Sequence, residues 1–366
     1  MRRPRPNVGL QWLGLVLIIV ILSGVSLSPT ACYLSRGALE EAKILGKRRD
    51  ISDILADPRT DSLTRQKLRI VVAARRYAKD VIGLNAKESF TTYTRLDRDT
   101  LVLVLSAAYR DQLTPYTWWF PIVGRVPYKG YFDFNQARLD ARNLDQEGYD
   151  TYLRPSDAFS TLGFFNDPLL STTLNVDTLE IANTVIHELT HNTFYASGQV
   201  TFNESFASFV GARGAAAFFR SRGAPGAAAQ VDARWEDDQL LAAFWTRLSH
   251  TLDSAFAAHP NDRAARLRAR DSIYTWARQL LVDSVAVRFK TISPLYAERV
   301  QMDNASLLAR RVYASELPLF DAVWEREEHD LRKTVVQLIA LAKSTPEDPY
   351  SGIRSWVATH PPASAP

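Results

Sequence analysis

The sequence predicts an α+β fold that is mostly helical, with a small sheet in the N-terminal half and a helical C-terminal half. Runs that are rich in β-branched and aromatic residues, typical of strands, occur almost only in the N-terminal half. In the C-terminal half, apolar residues recur at helical spacing over long segments. The chain has 366 residues, of which 46% are hydrophobic, and this is enough to form a substantial core.

The individual elements are predicted from local patterns. Helices are expected at 38–45 and 62–80, where apolar residues follow helical spacing. Strands are expected at 89–94 and 101–108, and the second is buried on both faces because Val and Leu run through it continuously. The segment 115–131 is rich in Pro, Gly and aromatic residues, which favours loops. The remaining helices are predicted at 178–194, 203–222, 227–258, 262–289, 305–314 and 319–343.

The first 32 residues are predicted to form an export segment. A basic stretch precedes an apolar run at 13–25, and small residues then lead to Cys32, the single cysteine of the chain. A cysteine at this place is typical of a bacterial lipoprotein attachment site, although Pro29 stands where Leu is usual. The apolar run is short for a spanning helix, which needs about 20 residues. Lipid attachment at Cys32 and an uncleaved membrane anchor both remain open, and either predicts a periplasmic, membrane-anchored protein of the cell envelope.

The rest of the chain is predicted to be one catalytic region, 33–355, with an α+β part at 33–200 and a helical part at 201–355. A tail at 356–366, ending in Pro, Ala and Ser, is predicted to be disordered. The formal net charge is +4, and charges of both signs are interspersed. No basic stripe interleaved with aromatic residues is present, so nucleic acid is not an expected partner.

One motif points to chemistry. The predicted helix at 178–194 contains H-E-x-x-H, formed by His187, Glu188 and His191. Residues four apart lie on one face of a helix, so both imidazoles can reach one metal ion while Glu188 lies beside them. A catalytic zinc takes three protein ligands and keeps one position open. We therefore expect one Zn²⁺ per chain and a third ligand further along the sequence.

Glu204 is the predicted third ligand. A metzincin would have a Gly and a third His shortly after the motif, but Phe194 and Ser197 occupy those positions. The next predicted helix instead supplies a carboxylate thirteen residues after the second histidine of the motif, and a turn at 196–199 can reverse the chain between the two helices. This arrangement is that of a gluzincin. Asn203, immediately before Glu204, is predicted to cap the second helix.

The ligand set predicts peptide hydrolysis, with Glu188 as the general base for the attacking water. The developing oxyanion needs a second electrophile, for which Tyr313 is the candidate, followed by His250, His259 and His329. An aminopeptidase also needs a carboxylate that binds the free α-amine of its substrate. The candidates are left open among Asp157, Asp167, Asp177 and Glu180.

Further motifs extend over nearly all of the mature chain: F-P-I-V-G-R at 120–125, P-Y-K-G-Y at 127–131, F-S-T-L-G-F-F-N-D-P at 159–168, T-F-N-E-S-F-A at 201–207 and D-N-A at 303–305. Together with H-E-L-T-H they resemble a family of bacterial, mainly proteobacterial, proteins described as putative aminopeptidases, which are predicted zinc-dependent peptidases and lipoproteins. Tyr313 also fits the pattern of this family. The resemblance implies a zincin-like catalytic core that acts on peptide substrates.

The resemblance also implies a role for the segment 158–165. In zinc peptidases of this architecture an edge strand near the metal binds the substrate backbone by strand addition. The substrate-binding residues would be Ser160, Thr161, Leu162 and Gly163; an ordinary buried strand is the alternative. The chain departs from the family at Thr190, Asn192 and Gly211, where Ala, Gln and Glu are usual, and these departures leave the substrate preference open.

Two other functions remain open at this point. A zinc endopeptidase would use the same site. A non-catalytic, zincin-like scaffold of the cell envelope would use the long C-terminal helices to bind a partner. The presence of three ligands and a general base in the sequence favours an enzyme, because a decayed site would usually have lost at least one of them.

Overall fold

The computed structural model describes residues 39–40, 42–120, 124–156, 168–312 and 315–361. Within these ranges the fold is α+β and predominantly helical, as predicted. The strands are β1 (Arg49–Asp50), β2 (Thr92–Thr94), β3 (Val102–Tyr109), β4 (Trp118–Phe120), β5 (Gly124–Val126), β6 (Tyr128–Tyr131), β7 (Tyr149–Ser156) and β8 (Leu169–Leu170). No helix among the described residues has both the length and the apolar character that a membrane span requires.

The helices are α1 (Ile51–Ala56), α2 (Ser62–Tyr77), α3 (Phe134–Gln146), α4 (Thr178–Thr193), α5 (Val200–Ser221), α6 (Pro225–Ala257), α7 (Arg263–Leu280), α8 (Leu295–Arg299), α9 (Asn304–Arg311), α10 (Leu317–Arg326), α11 (Leu331–Ser344) and α12 (Pro349–Thr359). A π-helical turn, Ala78–Ile82, continues α2, and another, Leu281–Val285, continues α7. Short 3₁₀ turns cover Ser171–Leu174 and Ala286–Arg288.

The described strands form three small sheets. In the first, β2 pairs antiparallel with β1 and parallel with β8. In the second, β3 lies between β6 and β7 and is antiparallel to both. The third is the hairpin β4–β5. One face of the second sheet packs against α3 through a cluster that includes Leu105, Tyr131 and Ala141. Val102 and Val104 are buried in a separate cluster, so the apolar run at 101–108 forms a buried strand, as predicted.

The prediction of loops at 115–131 is wrong, because β4, β5 and β6 all lie there. The strand β6 pairs with β3, with Tyr128 opposite Ser106 and Tyr131 opposite Leu103. These hydrogen bonds come from a strand more than twenty residues away in sequence, so local composition did not reveal them. The helix α3 and the strand β7 were not predicted either. Asp133 caps α3, accepting hydrogen bonds from Asn135 N at 3.0 Å and Gln136 N at 3.1 Å.

The main core surrounds an antiparallel pair of helices, α4 and α5. Phenylalanine rings from α5 stack with Phe320 of α10, at 6.2 Å from Phe206 and 5.7 Å from Phe209. The two helices approach closely at Gly211, where an added Cβ would lie 3.1 Å from the carbonyl oxygen of Asn183. α5 is thus covered on almost every side, which explains why its sequence is apolar nearly throughout.

A second hydrophobic cluster joins the later half of α6 to α7, through residues that include Trp245, Leu248 and Tyr274. An ionic network ties this part to the second sheet. Asp150 of β7 accepts a hydrogen bond from Arg270 at 2.5 Å and one from the backbone N–H of Asn304, at the start of α9, at 3.0 Å. These contacts fix β7, α7 and α9 beside one another.

Two predicted segments need correction near the C-terminus. The segment 319–343 is not one helix: α10 ends at Arg326, and Glu328 and His329 adopt positive φ angles of 55° and 62°, which stop the helix before α11 begins. The disordered tail was predicted to begin at 356, but α12 continues to Thr359. Asp348 caps α12, and Ile353 is buried in the main core, so tertiary packing holds this last helix in place.

Candidate metal centre

The helix α4 carries the H-E-x-x-H motif and is fixed at its N-terminus and along one face. Asp177 is its N-cap and accepts hydrogen bonds from Leu179 N at 3.0 Å and Glu180 N at 2.9 Å. Ile186 and Leu189 are fully buried in the main core. The opposite face therefore presents the histidines of the motif away from the core.

The turn between α4 and α5 is held by Asn203. Its side-chain Oδ1 accepts from the backbone N–H of Ala196 at 2.8 Å, and its Nδ2 donates to the carbonyl of the same residue at 2.8 Å. The prediction of a helix cap is wrong here, because α5 begins at Val200 with Gln199 as its N-cap. Asn203 instead lies within α5 and clamps the preceding turn, which fixes the position of the next residue, Glu204.

The three predicted ligands lie together. The Nε2 atoms of His187 and His191 are 3.1 Å apart, and Glu204 places one carboxylate oxygen 3.4 Å from His187 Nε2 and the other 3.6 Å from His191 Nε2. The side chains are 17%, 20% and 21% exposed, respectively. Among the described residues, these three form the one group of His, Cys, Asp or Glu side chains whose ligand atoms converge as a metal site requires.

The electrostatics of the cluster favour a negative carboxylate. Burial alone would raise the pKa of Glu204, but hydrogen bonds and charge attraction from His187 and His191 outweigh it and lower this pKa to about 2. Burial alone would lower the pKa of His191, but the carboxylates of Glu204 and Glu188 raise it. Glu204 therefore stays ionised at neutral pH, as a metal ligand must.

The spacing of the three groups fits a small divalent ion. A tetrahedral zinc with bonds of about 2.0–2.1 Å has ligand atoms about 3.3 Å from one another. The 3.1 Å between the two Nε2 atoms lies close to this value. With one oxygen of Glu204 as the third ligand atom, the three atoms all lie within 4.8 Å of one another. Two neutral imidazoles and one carboxylate are also a donor set that zinc accepts. Glu188, on the same turn of α4, is half-buried and near enough to affect His191 without belonging to the cluster.

Comparison with known proteins places the chain in a family. A family model described as "Putative aminopeptidase" matches residues 32–349. The chain belongs to this family. No curated protein and no solved structure matches the chain. Membership of the putative aminopeptidases indicates that the protein hydrolyses peptides.

Two tyrosines near the cluster of His187, His191 and Glu204 were not predicted as site residues. The ring of Tyr195 lies 6.4 Å from that of His191, centroid to centroid. Tyr128 of β6 is 49% exposed; partial burial raises the pKa of its phenol, and the neighbouring Tyr195 and Glu204 raise this pKa further. In the sequence, Tyr128 belongs to the P-Y-K-G-Y motif shared with the aminopeptidase family. Only the pairing of β6 with β3 brings Tyr128 to the site.

Several predicted residues stay apart from the cluster or cannot be placed. Eight of the predicted residues lie outside the described part of the chain: Cys32, Asp157, Ser160, Thr161, Leu162, Gly163, Asp167 and Tyr313. His250, His259 and His329 are exposed and do not join the cluster. Asp177 is engaged as a helix cap and by Arg234, and Glu180 accepts a hydrogen bond from Asn183 at 3.1 Å.

Proposed function

We propose that the protein is a zinc-dependent peptidase with a gluzincin-like site in a zincin-like core. His187, His191 and Glu204 would hold one Zn²⁺ per chain. The observation that carries this proposal is the convergence of one ligand atom from each residue within 4.8 Å. The two Nε2 atoms are 3.1 Å apart, close to the edge of a zinc tetrahedron, about 3.3 Å. The family of the chain supports the reaction class.

When bound, Zn²⁺ supplies a Lewis acid that lowers the pKa of a water molecule and polarises a peptide carbonyl. Glu188 has the role of general base. Its carboxylate takes a proton from the water as the water oxygen bonds to the carbonyl carbon, and it passes this proton to the amine nitrogen as the C–N bond breaks. The negative charge of Glu188 is available for this because the side chain is not one of the three ligands.

A tyrosine hydroxyl would stabilise the charge that develops on the carbonyl oxygen. Two residues are candidates: Tyr313, from the sequence, and Tyr128, from its position near Glu204. Tyr→Phe variants at each position distinguish them. The residue that acts in this way should show a kcat lowered by about 100-fold or more, with the bound metal unchanged. A variant with unchanged kcat removes its tyrosine from the mechanism.

The family supports action at the N-terminus of peptides. The test compares five-residue peptides with free and with acetylated N-termini, using the full-length chain loaded with zinc and mass spectrometry of the products. Stepwise release of N-terminal residues from the free peptides alone is the expected result. Internal cleavage that survives acetylation would show an endopeptidase. Absence of any cleavage by a zinc-loaded, folded chain would favour a scaffold protein.

We also propose that the protein is attached to the cell envelope through its first 32 residues, with Cys32 as the lipid attachment site. The export pattern of the sequence supports this. Fractionation of cells that produce the wild type and a Cys32→Ser variant tests it. The wild type should enter the membrane fraction, and a shift of the variant to the soluble periplasm indicates lipid attachment. A cytoplasmic, soluble wild type would contradict the proposal.

A further inference from the structure

A cavity of about 340 Å³ lies next to the metal centre, between α5, α6, α9 and β7. Its wall includes Ser208, one turn after Glu204 on α5, so the cavity begins about 6 Å along the helix from a metal ligand. The other residues of the wall that matter here are Tyr152, Asp238, Leu241, Trp245 and Arg310. A second arginine, Arg154, also lines the cavity, and it already interacts with another group of the protein. The volume is within the range of sites that bind small molecules.

Asp238 is an acidic group of this cavity whose carboxylate has no hydrogen bond or ion pair among the described residues. It is exposed to the solvent in the cavity, yet the surrounding protein removes much of its hydration. This burial raises its pKa to about 7, together with the negative charges of Glu180 on α4 and Asp237 on α6, while Arg234 on α6 opposes the rise. A cation would therefore gain by binding here.

The packing of α5 against α6 places Asp238 in the same cavity wall as Ser208, which lies one turn after Glu204. The two helices form an antiparallel hairpin, and Phe209 of α5 contacts Trp235 of α6 with ring centroids 6.1 Å apart. Asp238 follows Trp235 by about one turn. Because α5 runs in the opposite direction, one turn back from Phe209 on α5 leads towards Glu204. Asp238 and Ser208 consequently line the same cavity.

Arg310 of α9 provides a positive charge to the same cavity. Its guanidinium lies over the rings of Tyr152 and Trp245, at 4.9 Å and 5.1 Å from their centroids. It donates to the carbonyl of Ser306 at 3.0 Å and lies 3.5 Å from the hydroxyl of Tyr152. In the part of the chain that the structure describes, no carboxylate forms an ion pair with it. The stacked rings hold the guanidinium in place and leave its charge for an anion.

Along α6, the spacing between Asp238 and the ring that carries Arg310 is about the length of a short peptide. Asp238 and Trp245 are seven residues apart on α6, which is two helical turns or about 10 Å, and Arg310 lies over Trp245. Leu241 lies between them on the same face of the helix and lines the cavity. A peptide of three residues in extended form also spans about 10 Å. Its ammonium and carboxylate groups would meet the two charges while its middle lies over Leu241.

We propose that this cavity binds peptides of three residues with both termini free, Asp238 binding the N-terminal ammonium and Arg310 the C-terminal carboxylate. The inference rests on the proposed peptidase function, and it deepens that function by naming the substrate class. The cavity should discriminate against longer or blocked peptides. With such a peptide bound, the charge of Asp238 or of Arg310 would be covered and would have no opposite charge to pair with.

The test measures binding in a variant that cannot turn substrate over. The full-length, zinc-loaded Glu188→Gln chain is titrated in a calorimeter with tri-alanine, N-acetyl-tri-alanine and tri-alanine amide. We expect each blocked peptide to bind at least about tenfold more weakly than tri-alanine. Adding Asp238→Asn should remove the preference for tri-alanine over the acetylated peptide and keep its preference over the amide. Adding Arg310→Gln should do the reverse.

Matched controls come from the same helix. Asp253→Asn changes an exposed acid of α6, and Arg247→Gln changes an arginine that lies over Trp276 at 5.2 Å, away from the cavity. Both should keep the preferences of the parent. Equal binding of all three peptides by the parent, or unchanged preferences in the Asp238 and Arg310 variants, would overturn the inference. Hydrolysis by the wild type is measured separately, so terminus recognition without hydrolysis would refute the peptidase function and leave the binding site in place.

Discussion

Replacement of Asn203 by Ala should strongly destabilise the protein, although this residue touches no proposed substrate. Its side chain is 1% exposed and makes two hydrogen bonds to Ala196, which is itself 8% exposed. Alanine would leave the buried N–H and carbonyl of Ala196 without these partners. Each unsatisfied buried group costs about 1–3 kcal/mol, so we expect the free energy of unfolding to fall by about 2–5 kcal/mol.

Urea unfolding, followed by circular dichroism, measures this change. Asn203→Asp keeps the acceptor for the N–H of Ala196 but turns a buried carboxylate oxygen towards the carbonyl oxygen of Ala196, so it should destabilise the protein at neutral pH at least as much as alanine does. Asn135→Ala, an exposed asparagine in the first turn of α3, is the control and should change stability by less than about 0.5 kcal/mol. A loss below about 1 kcal/mol for Asn203→Ala would refute the clamp on the turn.

Two other substitutions test the close helix packing and the charged cavity. Gly211→Ala should destabilise the protein by about 1–3 kcal/mol, because the new Cβ would lie 2.5 Å from Asn183 Oδ1; thermal unfolding measures this, and Gly226→Ala, which meets nothing within 4 Å, should be neutral or stabilising. Asp238→Asn should raise the Tm by about 1–2 °C at pH 8 and by less at pH 5. The folded-state pKa of Asp238, about 7, exceeds the unfolded value of about 3.9, so its contribution to stability is present at low pH and is lost as the pH rises through 7. An equal Tm shift at both pH values would contradict the raised pKa.

Local sequence patterns were sufficient to predict the helix of the motif and the helix that follows it. The periodic apolar residues Val185, Ile186 and Leu189 are buried, and this burial turns the histidines to the other face of α4. The turn between the helices could also be predicted. The function of Asn203 could not, because its partner depends on where α5 begins: at Val200, three residues before the predicted start.

The elements that the sequence did not reveal depend on distant contacts. Tyr128 reaches the site because β6 pairs with β3, and Asp238 faces the cavity because α6 folds back along α5. The break between α10 and α11 was missed because its sequence contains neither Pro nor Gly, and two ordinary residues, Glu328 and His329, adopt the left-handed conformation there. In each case the neighbouring elements determine where the residues lie and which conformation they adopt. The periodicity of a single sequence carries no information on such neighbours.

The metal content of the purified full-length chain tests the central claim most directly. Elemental analysis of the wild type should find about one zinc per chain, and Glu188→Gln should retain it because Glu188 is not a ligand. His191→Ala and Glu204→Gln should remain folded and lose the zinc. A folded wild type without zinc after loading, or full zinc content in both ligand variants, would contradict the assignment of His187, His191 and Glu204 as the metal centre.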